Sequence, residues 1–444
     1  MPMGGGTFTV QNKVIPGAYI NFVSTKSASS TGERGTVALP LELNWGQENT
    51  IFRVEASEFN KTALSVFGYD PTAGELLLVR EALKRAKTLL CYRVNSGGTK
   101  ATKTIGGLPV TAKYGGTRGN DLKVAIVTNV DVSSNVDVVT YLGTMQVDSQ
   151  TVAATGGAAN LKANDYVSFG EAAVLTATAA TALESGTNGT ANGEAYSAFL
   201  TAAEVETFNV IAYPGTETSI KSLFTAYVKR LRDDDGKKIV GVLYQSAADH
   251  CGIISVKNGV VLSDGTTLTG DQAVAWVAGA SAAAQINQSL TNTAYEDAVD
   301  VDIKYTKSQY EAAIRAGEFV FYADNGKARV LTDINSLTTF GGGTSEDWTS
   351  NRVVRVMDTW ANDVARIWGE SYIGTMTNND TGRQLFKADL VSLGNQYQSL
   401  EAISNFASED IGVSQGTGKR DVVVSCALQP NDSMEKLYMT VQVN

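Results

Sequence analysis

Histidine, cysteine and proline are scarce in this 444-residue chain, and each shortage closes off a class of function. There is one histidine, His250, so any Ser-His-Asp or Cys-His constellation has a single candidate base. The three cysteines, Cys91, Cys251 and Cys426, are odd in number, far apart and without metal-ligand spacing. They read as buried, reduced thiols in a reducing compartment, Cys91 and Cys426 lying in the apolar runs LLCYRV and VVVSCALQ. Seven prolines against 43 glycines suit many tight turns rather than a disordered spacer. No stretch approaches the roughly 18 consecutive apolar residues of a membrane span. The opening MPMGGGTFTVQ has neither the basic start nor the apolar run of a signal peptide, which points to a protein made and used without Sec export. Basic clusters are lacking too. With a formal net charge of −10 and no long Lys/Arg run, a nucleic-acid surface is not expected.

What is present is ordinary for a folded protein: 43% hydrophobic and 18% charged residues. The length has room for roughly two to four domains. TVALPLEL reads as a buried strand. ELLLVREALKRAKT (75–88) has apolar residues at helical spacing and basic residues in its last turns, and runs into the strand LLCYRVN. Strand, helix, strand begins an α/β layer. From about 95 to 180 the helix signal vanishes, and KVAIVTNV, VDVVTYL, TMQVDSQTV and DYVSFG alternate with Gly, Asn and Asp turns, the pattern of an inserted all-β module. Its exit, ATALESGTNGTANGEA, reads as an exposed linker.

α/β patterning resumes over about 195–335, with helices at 194–204, 219–231, 271–285 and 307–316 between strands FNVIAYP, KIVGVLYQ and VDVDIKYT. Two hairpins are expected, SVKNGVVL on Asn258-Gly259 and EFVFYADNGKARVLTDI on Asn325-Gly326. Such repetition implies a mostly parallel sheet with helices on both faces. The end of the chain carries amphipathic helices at about 347–372 and 381–398. Two strands follow, DVVVSCALQ and EKLYMTVQV, joined by PNDSM.

Catalytic signatures are missing. His250 in AADHCGI reads as a loop or strand-end histidine, and adjacent strand residues point to opposite faces, so it does not pair with Cys251. GGGTSED (341–347) is explained by a loop and helix cap. YGGTRGND (114–121) lacks the ending of a phosphate loop and sits in the all-β region. DDDG (233–236) lacks calcium-loop spacing and reads as a solvated turn. The chain is expected not to be an enzyme and to need no cofactor or metal.

The positive evidence lies in the ends. Thr7–Val10 and Val14–Phe22 look extended, and Lys436–Asn444 alternates Leu437, Met439, Val441 and Val443 with Tyr438, Thr440 and Gln442. Lone strands need a sheet edge. Periodicity alone leaves open whether that edge lies in the same molecule or in a neighbour. The opening GGGTFTVQNKVIPGAYINFVS, the stretch AKYGGTRGNDLKVAI from Ala112, and the two-helix, two-strand ending resemble the contractile-tail sheath proteins of myovirus-type phages, PBSX-like prophages and R-type bacteriocins. Val14 through Asn21 and Gly116 through Leu122 carry the most specific marks.

The resemblance implies a subtilisin-like α/β core without protease activity, an inserted outward-facing β-domain, and an inner α+β C-terminal domain. The expected layout is an N-terminal arm (1–22), the first part of the core (23–94), the β-domain (95–182), the main core (183–335), the C-terminal domain (336–430) and a C-terminal arm (431–444). Phe8, Val10, Leu437, Met439, Val441 and Val443 would lie on arm strands exchanged between subunits, with Ser24–Gly35 and the loop before Asp421 as hinges. Arg383 and Lys387, one helical turn apart, are candidates for the tube-facing surface. The implied function is a structural subunit forming stacked hexameric rings around a tail tube and contracting to drive it through a cell envelope. Its partners would be other copies, the tube, baseplate and terminator proteins, not nucleic acid or membrane. It would work in a virion or tail-like particle assembled in the bacterial cytoplasm. A subtilisin-like hydrolase resting on His250, or a self-assembling surface-layer protein, are the alternatives.

Overall fold

The computed structural model describes residues 34–443 together with the short stretches 4–6 and 17–19. They fall into two compact units, Glu33–Ala361 with Pro430–Asn444, and Asn362–Gln429 with Met1–Gly32.

The larger unit is built on a seven-stranded sheet. From edge to edge it runs Glu318–Phe319, Ile253–Val256, Val240–Tyr244, Val210–Tyr213, Thr36–Leu41, Thr88–Arg93 and Ile51–Glu55. All neighbours are parallel except the last pair. Alternation along each strand feeds two cores. Val37, Leu39, Leu89 and Cys91 pack with the helices Phe59–Phe67, Leu77–Leu83 and Gly270–Ala283. Ala38, Leu90 and Tyr92 pack on the other face with Phe199 and Phe224 from the helices Gly193–Glu204 and Thr218–Lys229. The Gly270–Ala283 helix is rich in glycine, alanine and serine and lies close to its neighbour: a Cβ on Gly279 would sit 2.3 Å from the carbonyl oxygen of Ala82.

Residues 100–182 form two further sheets. One runs Met145–Ala153, Asn135–Leu142, Leu122–Thr128, Thr178–Ala182, and the other Val167–Phe169, Leu108–Gly115, Lys100–Ile105. Val110, Leu122, Val124, Ile126, Val138 and Leu142 share the core between them, so the module is a β-sandwich. The protein is thus mixed α/β with a separate β-sandwich.

Several expectations are corrected. The helix expected over 75–88 is a turn at Gly74–Leu76 and a helix ending at Leu83; beyond it Lys84 pairs with Glu81 one turn back, and Arg85 with Glu296. The exit of the sandwich begins as a strand, and only residues 184–192 form the irregular, largely exposed stretch expected there. Thr178–Ala182 is an edge strand on Leu122–Thr128, and Leu183 is buried. Asn258-Gly259 is not a hairpin turn: Ile253–Val256 stays in the large sheet while Val260–Leu262 joins a separate sheet with Thr267–Leu268 and Ala298–Val301. Asn258 instead uses its buried amide to donate to the Phe321 carbonyl and accept from the Phe321 amide, at 3.1 and 2.9 Å. Asn325-Gly326 does turn the hairpin Phe321–Asp324/Lys327–Val330, with φ of 49° and 72°.

In the smaller unit the helix Asp380–Ser399 is preceded by the last turns of Asn351–Ser371. Trp368 and Tyr372 stack at 5.8 Å between ring centres, and Phe386 lies 4.7 Å from Tyr372. The Tyr397 hydroxyl donates to Asp363 at 2.9 Å. The strand Val422–Cys426 pairs antiparallel with Ile411–Gln415, a strand the sequence reading missed, and not with the chain's last segment. Cys426, expected to be buried, is exposed on that hairpin.

Candidate assembly interface

The alternating segment Lys436–Val443 has no strand partner among the described residues. Its apolar side chains stand in solvent: Leu437 is 86% exposed, Met439 74%, Val441 70% and Val443 91%. A row of large apolar side chains this open is not how a soluble surface is finished. Upstream, the root of the arm is fixed. The Thr291 hydroxyl donates to Glu435 at 2.7 Å and the Ser350 hydroxyl to Asp432 at 3.1 Å. Thr291 is itself held by buried Asp333, whose backbone N–H donates to its hydroxyl at 2.8 Å and whose carboxylate accepts from the Leu290 amide and Asn351. The start of the segment is therefore fixed at a defined point on the larger unit.

In the smaller unit the hairpin Ile411–Gln415/Val422–Cys426 is a two-stranded sheet with no further strand beside it among the described residues. Along its second strand Val423 and Val424 are exposed, 53% and 37%. An edge of unpaired amides and carbonyls beside exposed valines is a template for another strand. The connecting turn is a tight one, correcting the expectation of a flexible hinge before Asp421. Asp421 closes it by accepting from the amides of Gly416 and Gly418, and Asn378 donates to the carbonyls of Lys419 and Asp421 at 3.0 Å.

Beside this turn lies an open cleft of about 490 Å³ whose walls include Trp368, Tyr372, Met376, Phe386 and Arg420. Lys419 and Arg420, which the sequence reading passed over, are exposed at its rim. The two glycines of QGTGKRD were the signal that could have placed them at a turn.

Of the residues singled out from sequence, Phe8 and Val10 lie outside the described residues, as does most of the hinge expected over 24–35. Leu437, Met439, Val441 and Val443 share the exposed arm. Arg383 and Lys387 are one turn apart on the Asp380–Ser399 helix, but the structure engages Arg383 locally. It pairs with Asp380 and donates to Asn378 at 2.8 Å, leaving its side chain 12% exposed.

His250 sits in the loop before Ile253–Val256. Its Nδ1 accepts the Gly252 amide at 3.0 Å, which puts the ring proton on Nε2, 3.2 Å from Asp233. Burial lowers its pKa below the ordinary histidine value, with Arg232 and Lys229 adding to that and Asp233 opposing it. Cys251 turns to the guanidinium of Arg232, 3.8 Å away, so the two neighbours do not form a nucleophile–base pair. Among the described residues no group of His, Cys, Asp or Glu is arranged to hold a metal ion, and no helix is long and apolar enough to cross a membrane.

Comparison with known proteins identifies the family. Residues 34–94 match the N-terminal region of tail sheath protein domain III, 96–192 the phage tail sheath β-sandwich domain, 189–336 the phage tail sheath central domain and 344–444 its C-terminal domain. The chain is 39% identical over 472 residues to the phage-like element PBSX protein XkdK of Bacillus subtilis, covering all of both chains. The solved sheath tail protein of Desulfitobacterium hafniense shares 45% identity and superposes with a TM-score of 0.86 over 95% of this chain and 99% of that one. The sheath tail protein of Listeria innocua gives 37% identity and 0.79, over 93% and 95%. The chain belongs to the phage tail sheath protein family, and its function is that of a structural sheath subunit in a phage tail or tail-like particle.

Proposed function

We propose that the chain polymerises by donating its C-terminal arm to a neighbouring subunit, where the arm adds a strand to the open hairpin Ile411–Gln415/Val422–Cys426. One observation carries this: among the described residues the chain holds both an alternating segment without a sheet and a sheet without a neighbouring strand. Main-chain hydrogen bonds contribute about 0.5–1.5 kcal/mol each. Burial of Leu437, Met439, Val441 and Val443 contributes about 1.5–3 kcal/mol apiece. Ordering the arm costs about 1–2 kcal/mol per residue. A single arm is therefore close to balance, and a mesh of many arms is secure.

On this reading the N-terminal arm, with Phe8 and Val10, adds to the sheet of another neighbour. Head-to-tail exchange builds stacked hexameric rings into a helical sheath around a tail tube, bounded by baseplate and terminator proteins. Contraction reorients subunits while the arms stay paired, with residues 24–35 as the hinge. The sandwich (95–182) faces outward and the C-terminal domain (336–430) faces the tube. Exposed Lys419 and Arg420 then supply the positive charge beside Arg383, while Lys387 faces the carboxylate of Glu409. The seven-stranded layer with helices on both faces supports a subtilisin-like core (23–94 and 183–335) that serves as a framework and catalyses nothing. Energy is stored at assembly in the bacterial cytoplasm, so no nucleotide or cofactor is required.

Negative-stain electron microscopy of the intact chain and of a chain truncated after Pro430 tests the reading. Rings or tubes from the intact chain, lost on truncation, are expected. Monomers in both samples, even with a tail tube supplied as template, would overturn it.

A further inference from the structure

We infer that the YGGTRGND stretch (114–121) is a latch that locks the β-sandwich onto the α/β core, so that the two turn as one rigid body. The stretch looks like a ligand loop in sequence, but its donors face inward. The Thr117 amide donates to the Asn188 side chain at 3.0 Å, the Arg118 amide to the Asn44 carbonyl at 3.2 Å and the Gly119 amide to the Gly116 carbonyl at 3.2 Å. Asn188 in turn donates to the Asn44 side chain at 2.7 Å, and Asn120 and Gly186 exchange hydrogen bonds at 2.9 and 2.8 Å. Arg118 reaches across to the core. Its Nε donates to the Gly68 carbonyl at 2.7 Å, and its guanidinium lies 4.3 Å from the ring centre of Tyr69.

The core reaches back. Fully buried Arg93 donates to the Gly115 carbonyl at 2.7 Å and to Glu48 at 3.2 Å. Trp45 enters the apolar core of the sandwich, edge-on to Tyr114 at 5.2 Å and stacked on Tyr166 at 6.5 Å. Only two chain segments connect the bodies, and they lie against each other without room for side chains. A Cβ on Gly98 would fall 1.9 Å from the Thr187 carbonyl, and one on Gly189 would fall 1.8 Å from that of Ser96. A hinge needs backbone torsions free to change and hydrogen bonds open to water. This joint has a packed aromatic, a buried arginine and close-crossed backbone instead. Combined with the sheath reading above, force applied to the sandwich reaches the core without lag.

The test is made on the unassembled chain, so that it stands apart from sheath formation. Nitroxides are placed at exposed Ser133→Cys on the sandwich and Ser219→Cys on the core, with Cys251→Ser and Cys426→Ser as background. Pulsed-dipolar spectroscopy should give one narrow distance distribution, and Arg118→Ala with Asn188→Ala should broaden it while circular dichroism is unchanged. Calorimetry should show core and sandwich melting together in the parent and separately in the variant. If the double variant does not fold, Arg118→Lys, which keeps the charge but loses the planar stack, should broaden the distribution to a lesser degree. A broad or multi-peaked parent distribution, or a variant as narrow as the parent, overturns the latch. A narrow distribution in a chain that never forms sheath overturns the assembly reading and leaves the latch standing.

Discussion

Arg232 and Asp358 form a two-pronged ion pair, with Nη1 and Nη2 donating to the two carboxylate oxygens at 2.6 and 2.8 Å. Arg232 follows the Thr218–Lys229 helix and Asp358 lies on Asn351–Ser371, and both side chains are at least nine-tenths buried. Arg232 also caps the Ile239 carbonyl at 2.6 Å, so it cannot swing out without breaking the end of the sheet. Removing one partner leaves a charge without compensation in the interior. Asp358→Ala should lower stability by about 3–5 kcal/mol, read as a fall in the urea midpoint. An unchanged midpoint would show that the pair does not hold the helix to the core.

The three thiols should separate by reactivity. Cys91 is fully buried, and burial pushes its pKa well up, so it stays inert. Cys426 is exposed on the open hairpin. In the unassembled chain a thiol reagent should modify Cys426 first, with Cys426→Ser removing that phase. If a donated arm covers the hairpin, the same phase should disappear in assembled sheath. Equal reactivity in both states would place the arm elsewhere.

His250 sets a pH dependence. Its folded pKa is lowered by burial, so the native state prefers the neutral ring and the unfolded chain binds the proton more readily. Its contribution is full above the unfolded value of about 6.5 and is lost as pH falls through the folded pKa. Denaturation midpoints should therefore drop between about pH 7 and 5, and His250→Gln should flatten that part of the profile. A profile identical to the parent's would remove His250 as the cause.

Helical glycines usually gain stability on change to alanine, and Gly394 should do the reverse. A Cβ there would sit 2.2 Å from the ring of Phe406, which packs on the Asp380–Ser399 helix. Gly394→Ala should cost about 1–3 kcal/mol through overpacking. Phe406→Leu in the same chain should recover part of it, measured by thermal unfolding of both variants.

The sequence was most legible where one local rule decides the outcome. Asn325-Gly326 reads as a turn and is one, because both residues take positive φ. Asn258-Gly259 is the same dipeptide with a different fate. Asn258 is claimed by the Phe321 backbone across 63 residues, and a Cβ on Gly259 would strike the Leu268 carbonyl at 1.9 Å. No window of sequence contains that competition. The helix Phe59–Phe67 was missed although Phe59, Ala63 and Phe67 fall one turn apart on its buried face. At the candidate site, the alternation of Leu437 to Val443 was visible, but the hairpin strand Ile411–Gln415 is short, carries a glycine and gives no clear period. Arg383 drew notice as a charge at helical spacing. Its engagement by Asp380 and Asn378 depends on how the chain arrives at the helix, which spacing does not encode.

Trp45 gives the molecule an optical reporter of its own. Its ring is 1% exposed between Tyr114 and Tyr166, and its indole N–H has no hydrogen-bond partner among the described residues. An excited indole shielded from water emits toward the blue, and hydrogen-bonding solvent moves the emission red. Loosening at the seam between core and sandwich would open that nitrogen to water, so Trp45's emission, separated from that of the other four tryptophans by replacing them, would move red as the seam parts.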